Sequence, residues 1–171
     1  DLVSWHGCRG LLRRYVELRE NFLLFNAQRK YPQRVVKLIR ANLMLPWLQK
    51  TFAARIVFVV RHPAAVISSQ MKAAGSWDPH DNIDRFRSDS SLLHVLNEQT
   101  KELLFQSLEI VEAHTLCWCI ENAIALQHAQ KSGMTIVFYE QLLQYGLPEW
   151  QRILSALELE TLPDEKLILR P

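Results

Sequence analysis

The feature that most constrains this chain is a short apolar run that does not alternate, Ile56-Val57-Phe58-Val59-Val60, closed abruptly by Arg61-His62-Pro63. A strand with one wet face alternates apolar and polar residues. A run without alternation asks for cover on both faces, as in a central strand of a helix-covered sheet. Pro63 suits the first turn of a helix, because its missing N–H and fixed φ cost nothing there. The spacing therefore predicts a strand over 56–60 and a helix over 63–74. A second run of the same kind, Met134-Thr135-Ile136-Val137-Phe138, follows Gly133, which predicts a helix stop. A third, Arg34-Val35-Val36-Lys37-Leu38-Ile39, is β-branched and reads as another strand.

Between these runs the period changes. Leu11, Tyr15, Leu18, Phe22 and Phe25 recur at helical steps, which predicts an amphipathic helix over 8–27, ended by Tyr31-Pro32. Residues 41–51 read as a helix with an awkward Pro46, and 92–112 and 113–131 as two more. A short helix starts at Tyr139, and Pro148 opens another over 148–157. Residues 75–91 are polar and read as a loop. Three buried-type strands separated by helices imply βαβ connections. The expected class is α/β, with a mostly parallel sheet flanked by helices on both faces. Ligands of such sheets bind beyond the carboxyl ends of the strands, here after Val60, Ile39 and Phe138.

Composition bounds the function. The chain has 171 residues, enough for a single domain over 1–171 that buries about 70% of its unfolded surface. An apolar fraction of 49% with 22% charged residues excludes a disordered chain. A net charge of +2 argues against a nucleic-acid coat. No segment reaches the roughly 18 apolar residues of a membrane span. Cys8, Cys117 and Cys119 form no C-x-x-C pair and read as core thiols. The six histidines make no H-E-x-x-H, so no metal is expected. Ser68 and Ser69 lack a G-x-S-x-G turn and are not nucleophiles. The glycines at 7, 10, 75, 133 and 146 compose no phosphate-cradling loop. The chain opens at Asp1 with neither an initiator Met nor a signal-peptide pattern, and reads as a portion of a longer protein.

The candidate chemistry sits where the strand rule puts it. Arg61 leaves the core strand beside the N–H groups of a helix start, which makes an anion site. Ser69 follows eight residues later, about 9 Å along that helix from Pro63. An Arg side chain running beside the helix and a Ser hydroxyl could grip one phosphate between them. Lys37 and Arg40, at the end of the Arg34–Ile39 run, are further cations for the cleft. Glu20 reads as solvated, and His62 as a spacer or a cleft residue. Trp77 reads as a loop plug or an acceptor platform.

The string Arg55-Ile56-Val57-Phe58-Val59-Val60-Arg61-His62-Pro63-Ala64-Ala65-Val66-Ile67-Ser68-Ser69 resembles the 3′-phosphate-binding motif of sulfotransferases that use 3′-phosphoadenosine 5′-phosphosulfate. That family's pattern is an apolar strand, Arg-Asp-Pro-Arg-like residues and a Ser eight after the first Arg. The order of further segments is similar as well. Arg34 to Asn42 looks like the strand and basic stretch before the motif. Trp118 to Ala129 looks like a family helix with a Trp and then an Asn, here Asn122. Ile136 to Leu142 looks like a strand ending in Tyr-Glu-Asp-Leu, with Gln141 for the Asp.

The resemblance implies a P-loop-NTPase-like sulfotransferase fold, incomplete at its N-terminus. Arg61 and Ser69 would bind the 3′-phosphate, and Arg170 would belong to a loop that covers the nucleotide. The co-substrate would be 3′-phosphoadenosine 5′-phosphosulfate with no metal. The acceptor would be a hydroxyl on a carbohydrate or small molecule, in a cytoplasmic enzyme. His62 stands for the usual Asp and Ala64 for the second Arg. The 5′-phosphosulfate loop has no counterpart and is expected upstream of Asp1, so the isolated chain is expected to be inactive. The general base is not assigned. The alternatives are a non-catalytic nucleotide-binding relative and a fragment of a P-loop kinase, which would need a Walker loop and Mg²⁺. A sheet without its first strand would leave Val57, Val59 and Ile136 uncovered and favour self-association.

Overall fold

The structure is a computed structural model that describes residues 35–73 and 78–159. The expected helix over 8–27, with Cys8 and Glu20, lies outside the described residues, as do Trp77 and Arg170. The chain divides into two compact units, residues 1–39 and 40–171. Of the first, residues 35–39 are described, and they form no strand. Val35, Val36, Leu38 and Ile39 are all exposed. β-branched residues suit a strand only when a ladder partner satisfies their N–H and C=O groups, and these residues have none among those described.

The second unit is mostly helical around a small parallel sheet. A 3-10 turn, Asn42–Met44, leads into α1, Leu45–Phe52. Pro46 sits in the first turn of α1, where a proline is tolerated, so it starts the helix rather than disturbing it. Ala53 closes it in the left-handed region at φ 46°. Next come β1, Val57–Val60, and α2, Pro63–Lys72, as the sequence predicts.

The polar stretch read as a loop is largely helix. α3 spans Pro79–Ser88 and α4 spans Ser90–Val95. α5 follows over Glu98–Leu104, and α6 over Ile110–Ser132. The acidic and amide residues that look like loop formers are N-caps. Asp78 Oδ1 accepts from the His80 N–H at 2.9 Å. Asp89 Oδ1 accepts from Ser91 and Leu92, and Asn97 Oδ1 from Thr100 at 2.8 Å. Between the caps, Pro79, Ile83 and Phe86 supply one buried stripe. The expected helix over 92–112 is thus broken at Asn97 and again at Glu109, whose side chain and Glu112 form a capping box for α6.

At 23 residues α6 runs for about 35 Å and carries both cores. Ala113, Leu116, Cys117 and Ile120 join Ile83, Phe86, Leu92 and Leu104 in one cluster. On the far side, Ala125 and Ala129 pack with Leu45, Phe58 and Val60, flanked by Trp118 and Leu126. Gly133 ends α6 in the left-handed region at φ 68°, where its own N–H and that of Met134 bond to the Ala129 carbonyl. β2, Thr135–Phe138, runs directly into α7, Tyr139–Tyr145, and α8 follows over Leu147–Ala156.

β1 and β2 pair in parallel, with Val57 opposite Thr135 and Val60 opposite Phe138. These are the two strands among the described residues, where the sequence suggested three. Phe58 and Val60 face α6. On the other face Val137 is buried and α8 packs on β2, while Val59 is 52% exposed. Among the described residues β1 is therefore covered on one face, not two. Cys117 is buried and burial pushes its thiol up to about 12, whereas Cys119 is exposed rather than in the core. Among the described residues no helix is long and apolar enough to cross a membrane.

Two outcomes follow from this packing. Leu104 is fully buried in the first cluster, so Leu104→Ala should cost about 2–5 kcal/mol in urea denaturation. A loss below about 1 kcal/mol would place Leu104 outside a close-packed core. The bare face of β1 should make the chain associate with rising concentration in sedimentation, and Val59→Lys should reduce that association. A monodisperse wild-type monomer would contradict it.

Candidate functional site

The parallel register determines what meets at the carboxyl end of the sheet. Because Val60 lies opposite Phe138, the residues that follow each strand emerge side by side. Arg61 and His62 leave β1, and Tyr139 and Glu140 leave β2. The Arg61 guanidinium carbon lies 5.0 Å from the centroid of the Tyr139 ring, a cation–π distance. Glu140 Oε1 accepts the His62 backbone N–H at 2.9 Å. That bond, helped by the nearby positive charge of Arg61, holds the Glu140 carboxyl below its ordinary 4.5.

The helix start is less open than the sequence suggests. His62 Nδ1 accepts the Ala64 N–H at 3.2 Å, so the histidine caps α2 with its own ring. The N–H groups of Ala65 and Val66 bond to the His62 carbonyl. With the His62 N–H held by Glu140, the backbone donors expected to receive an anion are already engaged. What stays available is the Arg61 guanidinium. It is exposed, and among the described residues it makes no salt bridge or hydrogen bond.

Ser69 is also exposed, on α2, and its carbonyl accepts from the Ala73 N–H. No hydrogen bond joins its side chain to Arg61. Ser68 points elsewhere, since neighbouring residues stand about 100° apart around a helix. Ser68 lines an open groove of about 650 Å³ between α2 and the start of α6, with His62, Ala64, Lys72, Val111 and Thr115. Neither Arg61 nor Ser69 lines that groove.

Of the other candidate cations, Arg170 lies outside the described residues. Lys37 is exposed in the first unit and belongs to no strand. Arg40 takes a left-handed backbone at φ 65°, and its charge is felt by Glu121 of α6. Burial raises the Glu121 carboxyl above its ordinary 4.5, and Arg40 partly offsets this. Asn122 is buried, donating to the Trp118 carbonyl at 2.8 Å and accepting from Asn42 at 3.5 Å, so it ties the first turn to α6.

The residue-by-residue reading missed Tyr139 and Glu140 as neighbours of Arg61. The signal was present, because two parallel strands of equal length bring their trailing residues together. Scans against family models, curated proteins and solved structures each found no match for the chain.

The depressed Glu140 carboxyl contributes stability that is present above its unfolded value and lost as pH falls through the folded one. Its titration, followed by carboxyl ¹³C NMR, should have a midpoint below 4.5. Arg61→Ala should move that midpoint up. An unchanged midpoint would remove the guanidinium from Glu140's surroundings.

Proposed function

We propose that this chain carries the nucleotide 3′-phosphate site of a sulfotransferase that uses 3′-phosphoadenosine 5′-phosphosulfate. Arg61 is the cation of that site, and Ser69 supplies a second donor. The observation that carries the reading is Arg61 itself. It stands at the carboxyl end of a strand in a parallel sheet, without a carboxylate ion pair among the described residues, and rests on the Tyr139 ring. Strand ends of parallel sheets are where ligands bind. A planar guanidinium with five N–H donors suits a phosphate dianion better than a single ammonium would.

The residues present fit a phosphate through side chains. The start of α2 is capped by His62 and Glu140, so backbone donors add little. Glu140 weakens the positive field while anchoring the loop that holds Arg61. The proposed site therefore binds the nucleotide through one strong cation and one neutral donor. Sulfuryl transfer would then proceed by positioning and charge stabilisation, as phosphoryl transfer does. The acceptor oxygen forms a bond to sulfur, the bond from sulfur to the leaving phosphate oxygen breaks, and the acceptor proton passes to a base. The proposed acceptor is a carbohydrate or small-molecule hydroxyl.

Calorimetric titration tests the site directly. Adenosine 3′,5′-bisphosphate should bind, and adenosine 5′-monophosphate, which lacks the 3′-phosphate, should bind more weakly. Losing a charged hydrogen bond costs about 1.5–3 kcal/mol, so Arg61→Ala should weaken binding by about tenfold or more. Ser69→Ala should weaken it about two- to tenfold. Absence of binding, equal affinity for the two nucleotides, or an unaffected Arg61→Ala would each overturn the reading.

A further inference from the structure

At the start of α3 one histidine ring serves two acceptors. His80 Nδ1 lies 2.8 Å from Asp78 Oδ1, and His80 Nε2 lies 3.0 Å from the Leu108 carbonyl oxygen. A carbonyl oxygen has no proton to give, and neither has an ionised carboxylate. A neutral imidazole carries one N–H, and an imidazolium carries two. Both bonds can stand together only when the ring is doubly protonated. The same Asp78 oxygen caps α3 through the His80 N–H at 2.9 Å, so the cap and the ring share one carboxylate.

The second acceptor matters because of where it lies. Leu108 belongs to the segment 105–109 between α5 and α6. From further along α3, Arg87 grips the end of α5 and the segment after it, donating to the Leu104 carbonyl at 2.7 Å and the Gln106 carbonyl at 2.9 Å. Arg87 is permanently charged, so those two ties do not respond to pH. The His80 tie, nearest the root of α6, does.

We propose that His80 is a pH-sensitive latch: protonated, it fastens the capped start of α3 to the segment 105–109, and on losing its Nε2 proton to solvent it keeps the bond to Asp78, releases the Leu108 carbonyl and loosens the root of α6. The first two turns of α6 carry Val111 and Thr115, which line the groove beside α2. The state of the latch therefore reaches that groove through one helix. This device is independent of what the site at Arg61 binds.

The charged and titratable groups around the ring act in a consistent sense. On its own element, Asp78 and Asp84 favour the imidazolium. From α6, His114 faces the pair; burial lowers its titration, Asp78 opposes this, and the charge of His80 lowers it further. Leu108 offers a carbonyl dipole, which is the largest influence raising His80, followed by the bond to Asp78. The partly exposed histidine thus holds its proton more tightly than a free imidazole does, and its buried neighbour less tightly.

The signs of the two histidines oppose each other. His80, raised above 6.5, contributes stability that is full below its unfolded value and lost as pH rises through the folded one. His114, lowered below 6.5, costs stability as pH falls from its unfolded value through the folded one.

NMR on the whole chain tests the latch. The ring ¹⁵N shifts of His80 and the carbonyl ¹³C shift of Leu108 are followed against pH. Both ring nitrogens should stay in the protonated range above pH 6.5, and the Leu108 carbonyl should move with the His80 midpoint. Asp78→Asn should lower that midpoint, and His80→Gln should abolish the Leu108 response. A His80 midpoint at or below 6.5, or a Leu108 carbonyl that does not follow it, would overturn the proposal. The wild-type titration decides the matter alone if a variant fails to fold.

Discussion

Everything described in the second unit depends on α6 burying two opposite sides at once. Positions 113, 116, 117 and 120 pack against α3, α4 and α5. Positions 125 and 129, with Trp118 alongside, pack against the sheet and α1. At roughly 100° per residue these two sets lie on nearly opposite sides of the helix. A helix of that kind shows no single apolar stripe, because it is apolar almost all round. The alanines at 125 and 129 are almost completely buried, and their small size lets the sheet approach the helix axis closely. Larger side chains there would push the sheet away and with it the loop that holds Arg61.

The sheet in turn sets the electrostatics of the candidate site. Two parallel strands in register deliver Arg61 and Glu140 to the same edge with opposite charges, yet the carboxylate binds the His62 N–H rather than the guanidinium. Glu140 Oε1 is engaged by backbone, and among the described residues the guanidinium has an aromatic face beside it and no carboxylate partner. A direct ion pair would have stabilised both side chains and closed the site. The choice of partner keeps a cation exposed at the sheet edge.

How much of this was legible follows from which forces are local. The strand, the Arg61-His62-Pro63 exit, the start of α2 and the stop at Gly133 were readable, because backbone chemistry within a few residues sets each of them. Residues 78–91 were misread as a loop, and the break at Asn97 was missed, for a related reason. Asp78, Asp89 and Asn97 favour loops and helix caps alike, and only the stripe at Pro79, Ile83 and Phe86 tells the two apart. The Val35–Ile39 run failed differently. Its strand propensity is real, but propensity forms no ladder without a partner edge, and sequence spacing does not supply one. For the candidate site, Arg61 and Ser69 were singled out by their spacing together with the resemblance, whereas the placement of Tyr139 and Glu140 beside Arg61 needed the register between strands distant in sequence.

The capped helix start changes what kind of recognition the proposed site can offer. Where backbone N–H groups cradle an anion, the side chains nearby can vary because the main chain does the binding. Here the His62 and Ala64 donors are occupied from within the fold. Recognition must then rest on side chains, and on one in particular. An ammonium at position 61 would keep the charge but lose both the fork that meets two phosphate oxygens and the flat stacking on Tyr139. Arg61→Lys is therefore not a conservative change in this setting, although it would be a mild one at a site built from backbone. The same residue that makes the site readable in the sequence makes it depend on a single guanidinium.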